Sequence, residues 1–271
     1  MRIPFAGLCL VSTLATGVAF AQPLPFNEAG VTMGHWHFVS HDVDANRRIF
    51  VAMGGQALSR PGGAESVRFP GVLINLNFGK EPPGKGGTVG SVVNHVGFIV
   101  NNVQEQVAKW KAAGVAVLPP NAFNRTDQAF VETPDGVRIE ILEDKSQAMP
   151  IRHEHIHFFL PEAEIAKAVA WYAKHFGGRV SERNKSPVVD IPGAQLRFAK
   201  ANGPQAPTKG RVLDHIGFDV KDLHAIIKKI EADGIKLDEP YRKNPLTGSA
   251  ITYITDPWGA RLELVERGPM P

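Results

Sequence analysis

Four short stretches decide the fold: His35-Trp36-His37-Phe38, Asn94-His95-Val96-Gly97-Phe98, His155-Ile156-His157-Phe158 and Asp214-His215-Ile216-Gly217-Phe218. Each reads as the start of a β-strand. The first two are 60 residues apart (His35 to His95), as are the last two (His155 to His215), and the second pair follows the first by 120 residues. The chain is therefore a repeat of a repeat.

A helical stretch follows each strand start. It begins at a polar residue that can cap a helix and ends in glycine, which adopts the left-handed conformation that a helix C-terminus favours. Short runs of alternating apolar residues come next and predict strands. Each unit therefore reads as a strand, a helix and about three strands. The predicted helices cover residues 42–53, 102–113, 161–176 and 222–233, and the predicted strands include residues 72–78, 129–133, 137–142, 195–199, 250–255 and 261–265.

The four units are expected to pair in chain order into two domains, residues 31–145 and residues 151–268. Connectors rich in glycine and proline, residues 80–90 and 200–210, separate the units within each half. This organisation predicts an α+β protein in which paired βαβββ units form curved mixed sheets, each shaped as a cup.

The first 21 residues have the features of a secretory signal peptide. A positive start is followed by a largely apolar stretch, and Ala19-Phe20-Ala21 has the small-x-small pattern of a cleavage site. The apolar stretch is shorter than the roughly 20 residues of a membrane-spanning helix. We expect cleavage after Ala21, a periplasmic or secreted protein, and no membrane association after cleavage. The only cysteine, Cys9, lies in this segment, so the mature chain is expected to lack disulfides and thiolate ligands.

The composition is that of an ordinary globular protein. Of 271 residues, 43% are hydrophobic and 21% charged, which excludes a disordered or fibrous chain. The net charge of +3 comes from scattered side chains without a Lys/Arg block, so a nucleic-acid partner is not expected. The expected partner is a small-molecule substrate, and the expected assembly is a monomer or a homodimer.

Histidine placement gives the chemical signal. Residues two apart on a strand face the same side, so His35 and His37 are expected to point together, and the three histidines 153, 155 and 157 likewise. Seven of the ten histidines lie at the four strand starts: His35, His37, His95, His153, His155, His157 and His215.

If units pair within each half, each cup receives one strand-start histidine from each unit and one late-strand glutamate. Two imidazoles and one carboxylate on one side of a divalent ion leave positions open for substrate and sometimes for dioxygen. The alternative is that these histidines are core or rim side chains hydrogen-bonded to their neighbours. The two candidate metal sets are His35, His95 and Glu140 in the first half, and His155, His215 and Glu263 in the second.

Other residues are candidates for supporting roles. Tyr253 is a candidate acid or hydrogen-bond donor to a substrate oxyanion, with core packing as the alternative. Arg197 and Asn75 occupy the positions that the two glutamates hold in the other units, and Arg197 is a candidate for neutralising a substrate carboxylate, with a salt bridge as the alternative. His37 and His157 are expected to replace, assist or orient the ligands beside them.

These motifs resemble the vicinal oxygen chelate superfamily, which includes glyoxalase I, extradiol dioxygenases, epimerases and metal-free antibiotic-binding proteins. The resemblance is carried by the tandem units, the His-x-Gly-Phe openings and the Asp-Pro-x-Gly-x-x-x-Glu closing of residues 256–263. Four units in one chain are similar to extradiol dioxygenases, whose iron lies in the C-terminal half. The resemblance implies His155, His215 and Glu263 as the preferred Fe(II) ligands, with Mn, Zn or Ni as alternatives. It also places Tyr253 at the tyrosine of the dioxygenase signature.

Three classes of function follow from these patterns. The favoured one is a metalloenzyme that chelates vicinal oxygens of a small organic substrate, with dioxygenase-like chemistry preferred. Residues 244–249 contain no histidine where the dioxygenase signature has one, which leaves a glyoxalase-like isomerase or lyase as an alternative. The other two classes are a non-catalytic protein that binds a small ligand and a structural module.

Overall fold

The computed structural model describes residues 24–59, 65–76, 84–120, 124–245 and 248–268, and the expected signal peptide lies outside them. These residues form four repeats of strand, helix and three strands. The helices are α1 (Val43–Ala52), α2 (Val103–Ala112), α3 (Ile165–Phe176) and α4 (Leu223–Ala232). The strands are β1 (Val31–Phe38), β2 (Gln56–Ser59), β3 (Glu65–Phe69), β4 (Val72–Asn75), β5 (Val93–Val100), β6 (Ala116–Val117), β7 (Gln128–Glu132), β8 (Arg138–Glu143), β9 (Ile151–Leu160), β10 (Arg179–Arg183), β11 (Ser186–Ile191), β12 (Ala194–Lys200), β13 (Leu213–Val220), β14 (Glu239–Lys243), β15 (Ala250–Thr255) and β16 (Arg261–Glu266).

Local capping explains where the helices begin. The side-chain oxygens of Asp42, Asn102 and Asp222 each accept a hydrogen bond from the backbone nitrogen three residues further on, which satisfies a free donor of the first turn. The third helix follows a short 3-10 turn instead and ends at Gly177, whose φ is 63°. The four predicted helices are confirmed. None of the helices in the described ranges is long and apolar enough to cross a membrane.

The strands form two mixed sheets of eight strands each. The order of the first sheet is β14-β15-β16-β13-β1-β4-β3-β2, and that of the second is β10-β11-β12-β9-β5-β8-β7-β6. At the middle of each sheet the first strands of two units lie antiparallel, β1 beside β13 and β5 beside β9. The expected α+β fold of paired βαβββ units is confirmed.

The expected pairing in chain order is wrong. The first sheet combines units one and four, and the second combines units two and three, so neither residues 31–145 nor residues 151–268 make a sheet alone. The sequence repeats define each unit but do not determine which units pair, because the first strand of every unit has the same kind of edge for pairing. The two connectors meet in this arrangement, where Lys85 N of the first donates to Gly210 O of the second at 2.8 Å.

Contacts between helices and turns hold the two sheets together. Tyr172 of α3, beside the second sheet, donates a 2.7 Å hydrogen bond to Asp256 in the turn before β16 of the first sheet. On the opposite side Asn46 of α1 donates a 2.6 Å hydrogen bond to Asp135 in the turn before β8. The two units of each half therefore lie in different sheets. One of these two hydrogen bonds connects the units of the first half, and the other connects those of the second.

One histidine of the strand starts belongs to the core. The ring of His153 packs against Trp36 with 5.0 Å between centroids, and its Nδ1 lies 2.7 Å from Gly193 O. Burial lowers the pKa of His153 to about 4, so the ring is neutral at pH 7. His153 was expected to point together with His155 and His157, but it is not part of their cluster, and a register shift between Gly97 and Phe98 separates its position from that of His155.

Candidate metal centres

One face of each sheet collects polar side chains where its two units meet. In the first sheet the register places His37 opposite both Asn75 and His215, and it places Glu263 opposite Tyr253. Residues directly opposite on neighbouring strands share a face, and Glu263 stands opposite Gly217, two residues beyond His215, so these side chains form two adjacent rows on one face. The second sheet repeats both rows, with His157 opposite Arg197 and His95, and with Glu140 opposite Phe130.

The first-sheet centre consists of His35, His37, His215 and Glu263. Glu263 Oε2 lies 2.8 Å from His35 Nε2 and 2.9 Å from His215 Nε2. Ligand atoms of the three histidines all lie within 4.8 Å of one another, and the His37 ring stacks on His215 with centroids 4.5 Å apart. Two imidazole nitrogens therefore converge on one buried carboxylate oxygen.

The second-sheet centre consists of His95, His155, His157 and Glu140. Glu140 Oε2 lies 3.3 Å from His95 Nε2 and 3.0 Å from His155 Nε2, and His157 Nδ1 lies 3.0 Å from His95 Nε2. Ligand atoms of all four residues lie within 4.8 Å of one another. The arrangement repeats the first-sheet centre with one histidine from each of two different units.

Glycine makes room for one ligand histidine in each centre. A Cβ on Gly217 would lie 2.0 Å from His35 Cε1, and a Cβ on Gly97 would lie 1.9 Å from His155 Cε1. Real Cβ atoms do not approach a ring this closely. The glycine of each His-x-Gly-Phe opening is therefore required because the imidazole of the neighbouring unit lies directly over it.

Carboxylates hold the outer nitrogens of two of the ligand histidines. His215 Nδ1 lies 2.7 Å from Asp214 Oδ1, and His155 Nδ1 lies 2.5 Å from Glu154 Oε2. A carboxylate accepts a hydrogen bond from the Nδ1–H group and so leaves the lone pair on Nε2. Each Nε2 then faces the central glutamate of its centre.

The charges of the centres are strongly coupled. Burial alone would raise the pKa of Glu263, but the imidazoles of His35 and His215 outweigh burial and hold that pKa well below its usual range. Burial also opposes ionisation of Glu140, whose pKa is lowered by His155 and His95. Both glutamates are therefore anionic at pH 7. Burial, followed by the charge of Glu263, raises the pKa of Tyr253, so this phenol keeps its proton.

Residues 155–264 match the family model of the Glyoxalase/Bleomycin resistance protein/Dioxygenase superfamily. Residues 155–264 are therefore similar in sequence to members of this superfamily. The matched stretch covers the third and fourth units, which contribute to different sheets.

Individual proteins are similar to the chain in sequence or in fold. The chain is 23% identical over 192 residues to a probable chloroplastic lactoylglutathione lyase of Arabidopsis thaliana, a match that covers 66% of this chain and 54% of that protein. The chain thus spans about half the length of this relative. Its fold is similar to that of glyoxalase I from Zea mays, with a TM-score of 0.67, 16% identity, and coverage of 87% of this chain and 92% of the maize chain. It is also similar to a putative dioxygenase from Bacillus subtilis, with a TM-score of 0.62, 14% identity, and coverage of 88% and 86%.

Both centres fit a divalent ion. In the described part of the chain, Nε2 of His35 and Nε2 of His155 are buried without a hydrogen-bond partner, although each lies within 3.0 Å of a carboxylate oxygen. A lone pair and an anionic oxygen repel each other unless a proton or a cation lies between them. Imidazole and carboxylate are ligands that Zn, Fe, Mn and Ni accept, and a carboxylate behind the histidine strengthens such a site.

The structure regroups the residues expected to bind metal. His35 lies with His215 and Glu263, whereas His155 lies with His95 and Glu140. Neither expected set is therefore intact: His155 is absent from the centre of Glu263, and His35 is absent from the centre of Glu140. The error follows from the wrong pairing of units, because one histidine of each set comes from the neighbouring unit.

The supporting residues lie where they were expected, at the centres. His37 and His157 belong to the two histidine clusters. Tyr253 is 8% exposed and stands opposite Glu263 on the neighbouring strand. Arg197 forms a salt bridge to Glu154 through Nη2, while its Nη1 lies 3.9 Å from Glu140 Oε2.

Three polar partners were missed by sequence reasoning: Asp214, Glu154 and Arg261. The first two immediately precede a ligand histidine, and because neighbours on a strand normally face opposite sides, the strand pattern does not predict their contact with that histidine. The Asp-His and Glu-His dipeptides are the signal that could have found them. Gln128, which donates a hydrogen bond to Glu140 Oε1 from β7, gives no comparable signal.

Proposed function

We propose that this protein is a metal-dependent enzyme that acts on vicinal oxygens of a small organic substrate, with His35, His215 and Glu263 as the metal ligands. The observation that carries the proposal is the convergence of two imidazole nitrogens on one buried carboxylate oxygen at 2.8 and 2.9 Å. This set corrects the expected ligands by replacing His155 with His35. A bound divalent ion would polarise the substrate oxygens as a Lewis acid.

Two differences favour the first-sheet centre as the catalytic one. Tyr253 stands opposite its glutamate, whereas Phe130 stands opposite Glu140, so only the first has a proton donor there. The neutral Asn75 lies in its row, whereas the cationic Arg197 occupies the matching position of the second sheet. A guanidinium close to the ligands opposes binding of a divalent cation, and its salt bridge to Glu154 only partly offsets that effect.

The residues of the chain have distinct roles in this proposal. Asp214 accepts a hydrogen bond from the Nδ1–H group of His215 and thereby keeps the Nε2 lone pair available. Tyr253 remains protonated and lies beside Glu263, from where its hydroxyl can donate a hydrogen bond to negative charge that develops on a substrate oxygen. Tyr253 is therefore the proposed catalytic residue.

A dioxygenase-type reaction is the first candidate, with Fe(II) as the metal. Two histidines and one carboxylate are the donor set of non-haem Fe(II) oxygenases, which leaves open positions for both substrate and dioxygen. A lyase or isomerase is the second candidate, and the observation that favours it is the similarity to a probable lactoylglutathione lyase and to maize glyoxalase I. Mn, Zn or Ni would suit that alternative.

The test combines metal analysis with two assays. We expect the chain, reconstituted with Fe(II) without air, to hold metal in stoichiometric amount and to consume dioxygen with one of a panel of vicinal diols. Formation or breakdown of lactoylglutathione with Zn or Ni would instead establish the second candidate. Turnover should disappear in His215→Ala and persist in His95→Ala. Absence of stoichiometric metal, or turnover that depends on His95 and not on His215, would contradict the proposal.

We also propose that the protein is exported and acts outside the cytoplasm. The support is the signal-like composition of residues 1–21. Expression with the full sequence should give a periplasmic or secreted protein whose first residue is Gln22. A protein that keeps Met1 and fractionates with the cytoplasm would contradict this proposal.

A further inference from the structure

Arg261 lies beside the first-sheet centre and connects several side chains that surround it. Its Nη1 donates a 2.7 Å hydrogen bond to Asp214 Oδ1, and the same oxygen lies 2.7 Å from His215 Nδ1. Its Cζ lies 4.2 Å from the ring centroid of Tyr253, and its Nη2 donates a 2.6 Å hydrogen bond to Glu239 Oε1. One guanidinium therefore reaches both the partner of a ligand histidine and the proposed proton donor.

The neighbours of Arg261 leave this arrangement little freedom. Asp214 Oδ2 accepts a 2.6 Å hydrogen bond from Gly210 N, so both carboxylate oxygens are held. The backbone nitrogen of Arg261 donates to Thr208 Oγ1 at 2.8 Å, and its side chain is 13% exposed. A planar guanidinium whose two terminal nitrogens are both hydrogen-bonded loses little further conformational entropy when the centre binds a ligand.

Arg138 occupies the equivalent position of the second sheet. Its backbone nitrogen donates to Thr88 Oγ1 at 2.9 Å, as that of Arg261 does to Thr208. Its side chain contacts Glu132 at 3.4 Å instead of the centre. The position alone therefore does not create the connection.

The partners of the guanidinium account for this difference. The neutral Asn94 precedes the ligand histidine of the second sheet, where the first sheet has Asp214, and its Oδ1 lies 3.0 Å from His95 Nδ1. Phe130 stands where the first sheet has Tyr253. Arg138 therefore has no anionic partner on a ligand histidine, and in the second sheet it is Arg197 that reaches such a partner, Glu154 beside His155.

We propose that Arg261 is a positioning residue of the first-sheet centre. By holding Asp214 it fixes the imidazole of His215 with Nε2 toward the ion, and by lying over Tyr253 it keeps the phenol beside Glu263. This inference rests on the proposed function of the centre as a metal site, and it assigns Arg261 no contact with substrate.

Metal affinity tests the inference without any assay of turnover. Co²⁺ would be titrated into Arg261→Ala, Arg261→Lys and the matched control Arg138→Ala, each in a Glu140→Gln background that restricts binding to the first sheet. The visible absorption of bound Co²⁺ reports its ligand geometry. We expect Arg261→Ala to weaken binding by about 10- to 100-fold and to change the spectrum, as loss of a partner behind a metal ligand does. Arg261→Lys should be intermediate, and Arg138→Ala should match its parent.

A double-mutant cycle shows whether Arg261 acts through Asp214. Once Asp214→Asn has removed the anionic partner, Arg261→Ala should cost little further affinity. Fully additive losses, or affinity within twofold of the parent in Arg261→Ala, would overturn the inference. Thermal unfolding of the metal-free proteins checks folding, and Arg261→Lys decides the question if Arg261→Ala does not fold. If His215→Ala binds Co²⁺ as well as the parent, the proposed function itself fails. If His215→Ala loses Co²⁺ affinity while Arg261→Ala keeps it, only the role of Arg261 is defeated.

Discussion

The two centres have the same backbone plan and different surroundings. Each places histidines from two units around one glutamate on the same face of an eight-stranded sheet. The first-sheet centre adds a phenol, an amide and an arginine that is engaged by Asp214, whereas the second-sheet centre adds a phenylalanine and a buried arginine that pairs with Glu154. Duplication thus preserved the ligands, and the residues behind and beside them distinguish the two sites.

This difference shows that a ligand set alone does not define a site. Both glutamates are buried and both have lowered pKa values. What distinguishes the centres is the arginine that lies 3.9 Å from the central glutamate of the second sheet, and the proton donor opposite the glutamate of the first. A cation near the ligands weakens metal binding, and a phenyl ring cannot donate a proton. The following experiments test this distinction, beginning with the largest expected effect.

Loss of the central carboxylate should have the largest effect. Glu263→Gln removes the anionic ligand but keeps its size, so we expect the first-sheet centre to lose stoichiometric metal. Glu140→Gln is the matched control in the second sheet and should leave first-sheet binding unchanged. Metal content and calorimetric titration measure both. Equal losses of turnover in the two variants would contradict the assignment of catalysis to the first sheet.

Substitution of the glycine that lies beneath a ligand histidine should have the second-largest effect. A Cβ at Gly217 would displace His35, so Gly217→Ala should remove metal binding from the first sheet and cost about 1–3 kcal/mol in the free energy of unfolding, the usual cost of overpacking. Gly97→Ala should have the same effect on the second sheet through His155. Gly203→Ala, where a Cβ meets nothing within 4 Å, is the control for denaturant unfolding and metal titration. Normal binding in Gly217→Ala would show that the ring does not require this space.

The turns before the glutamate strands should respond differently to pH. Burial raises the pKa of Asp256 from 3.8 to about 6, although the hydrogen bond from Tyr172 acts in the opposite direction. The matching turn of the second sheet has Thr133 at this position, which does not titrate. A raised pKa means that the protonated form is favoured in the folded state. Its stabilising contribution, up to about 3 kcal/mol, is complete below pH 3.8 and is lost as the pH rises through about 6.

The Asp256→Asn variant makes this contribution measurable. Because asparagine does not titrate, the difference in unfolding free energy between the wild type and the variant should change between pH 4 and 6 and be constant above that range. Thr133→Val in the matching turn should give a difference that does not depend on pH. Denaturant titrations across this range measure both, and a constant difference for Asp256→Asn would contradict the prediction.

An exchange of the neighbouring residues should have the smallest effect. Asn75→Arg brings a cation beside the first-sheet centre, and Arg197→Asn removes one from the second. We expect metal affinity to fall about tenfold in the first variant and to rise about tenfold in the second, the size of effect expected for a partly screened charge a few ångströms from the ion. Unchanged affinity in both would mean that Arg197 is fully compensated by Glu154.

The sequence predicted the local elements well. The helices at residues 42–53, 102–113 and 222–233 are confirmed because caps, apolar period and terminal glycine all act within a few residues. The individual candidates for the centres were also found from the sequence, since histidine at a strand start and glutamate on a late strand are repeated features. Arg197 was identified because it occupies the position that the two glutamates hold in other units, and Tyr253 because of the resemblance to the dioxygenase signature.

Partnership between distant residues could not be predicted in this way. His35 and His155 exchange places relative to expectation because the edge of β1 is compatible with more than one other first strand, and in the structure it pairs with β13. Asp214 and Arg261 lie 47 positions apart on neighbouring strands, and their contact depends on that register. The sequence by itself determined the repeated units and the chemistry each unit carries, because these depend on short-range propensity and pattern. Only the tertiary structure decided which units share a sheet, and therefore which imidazoles and carboxylates form a centre, because that choice depends on long-range packing.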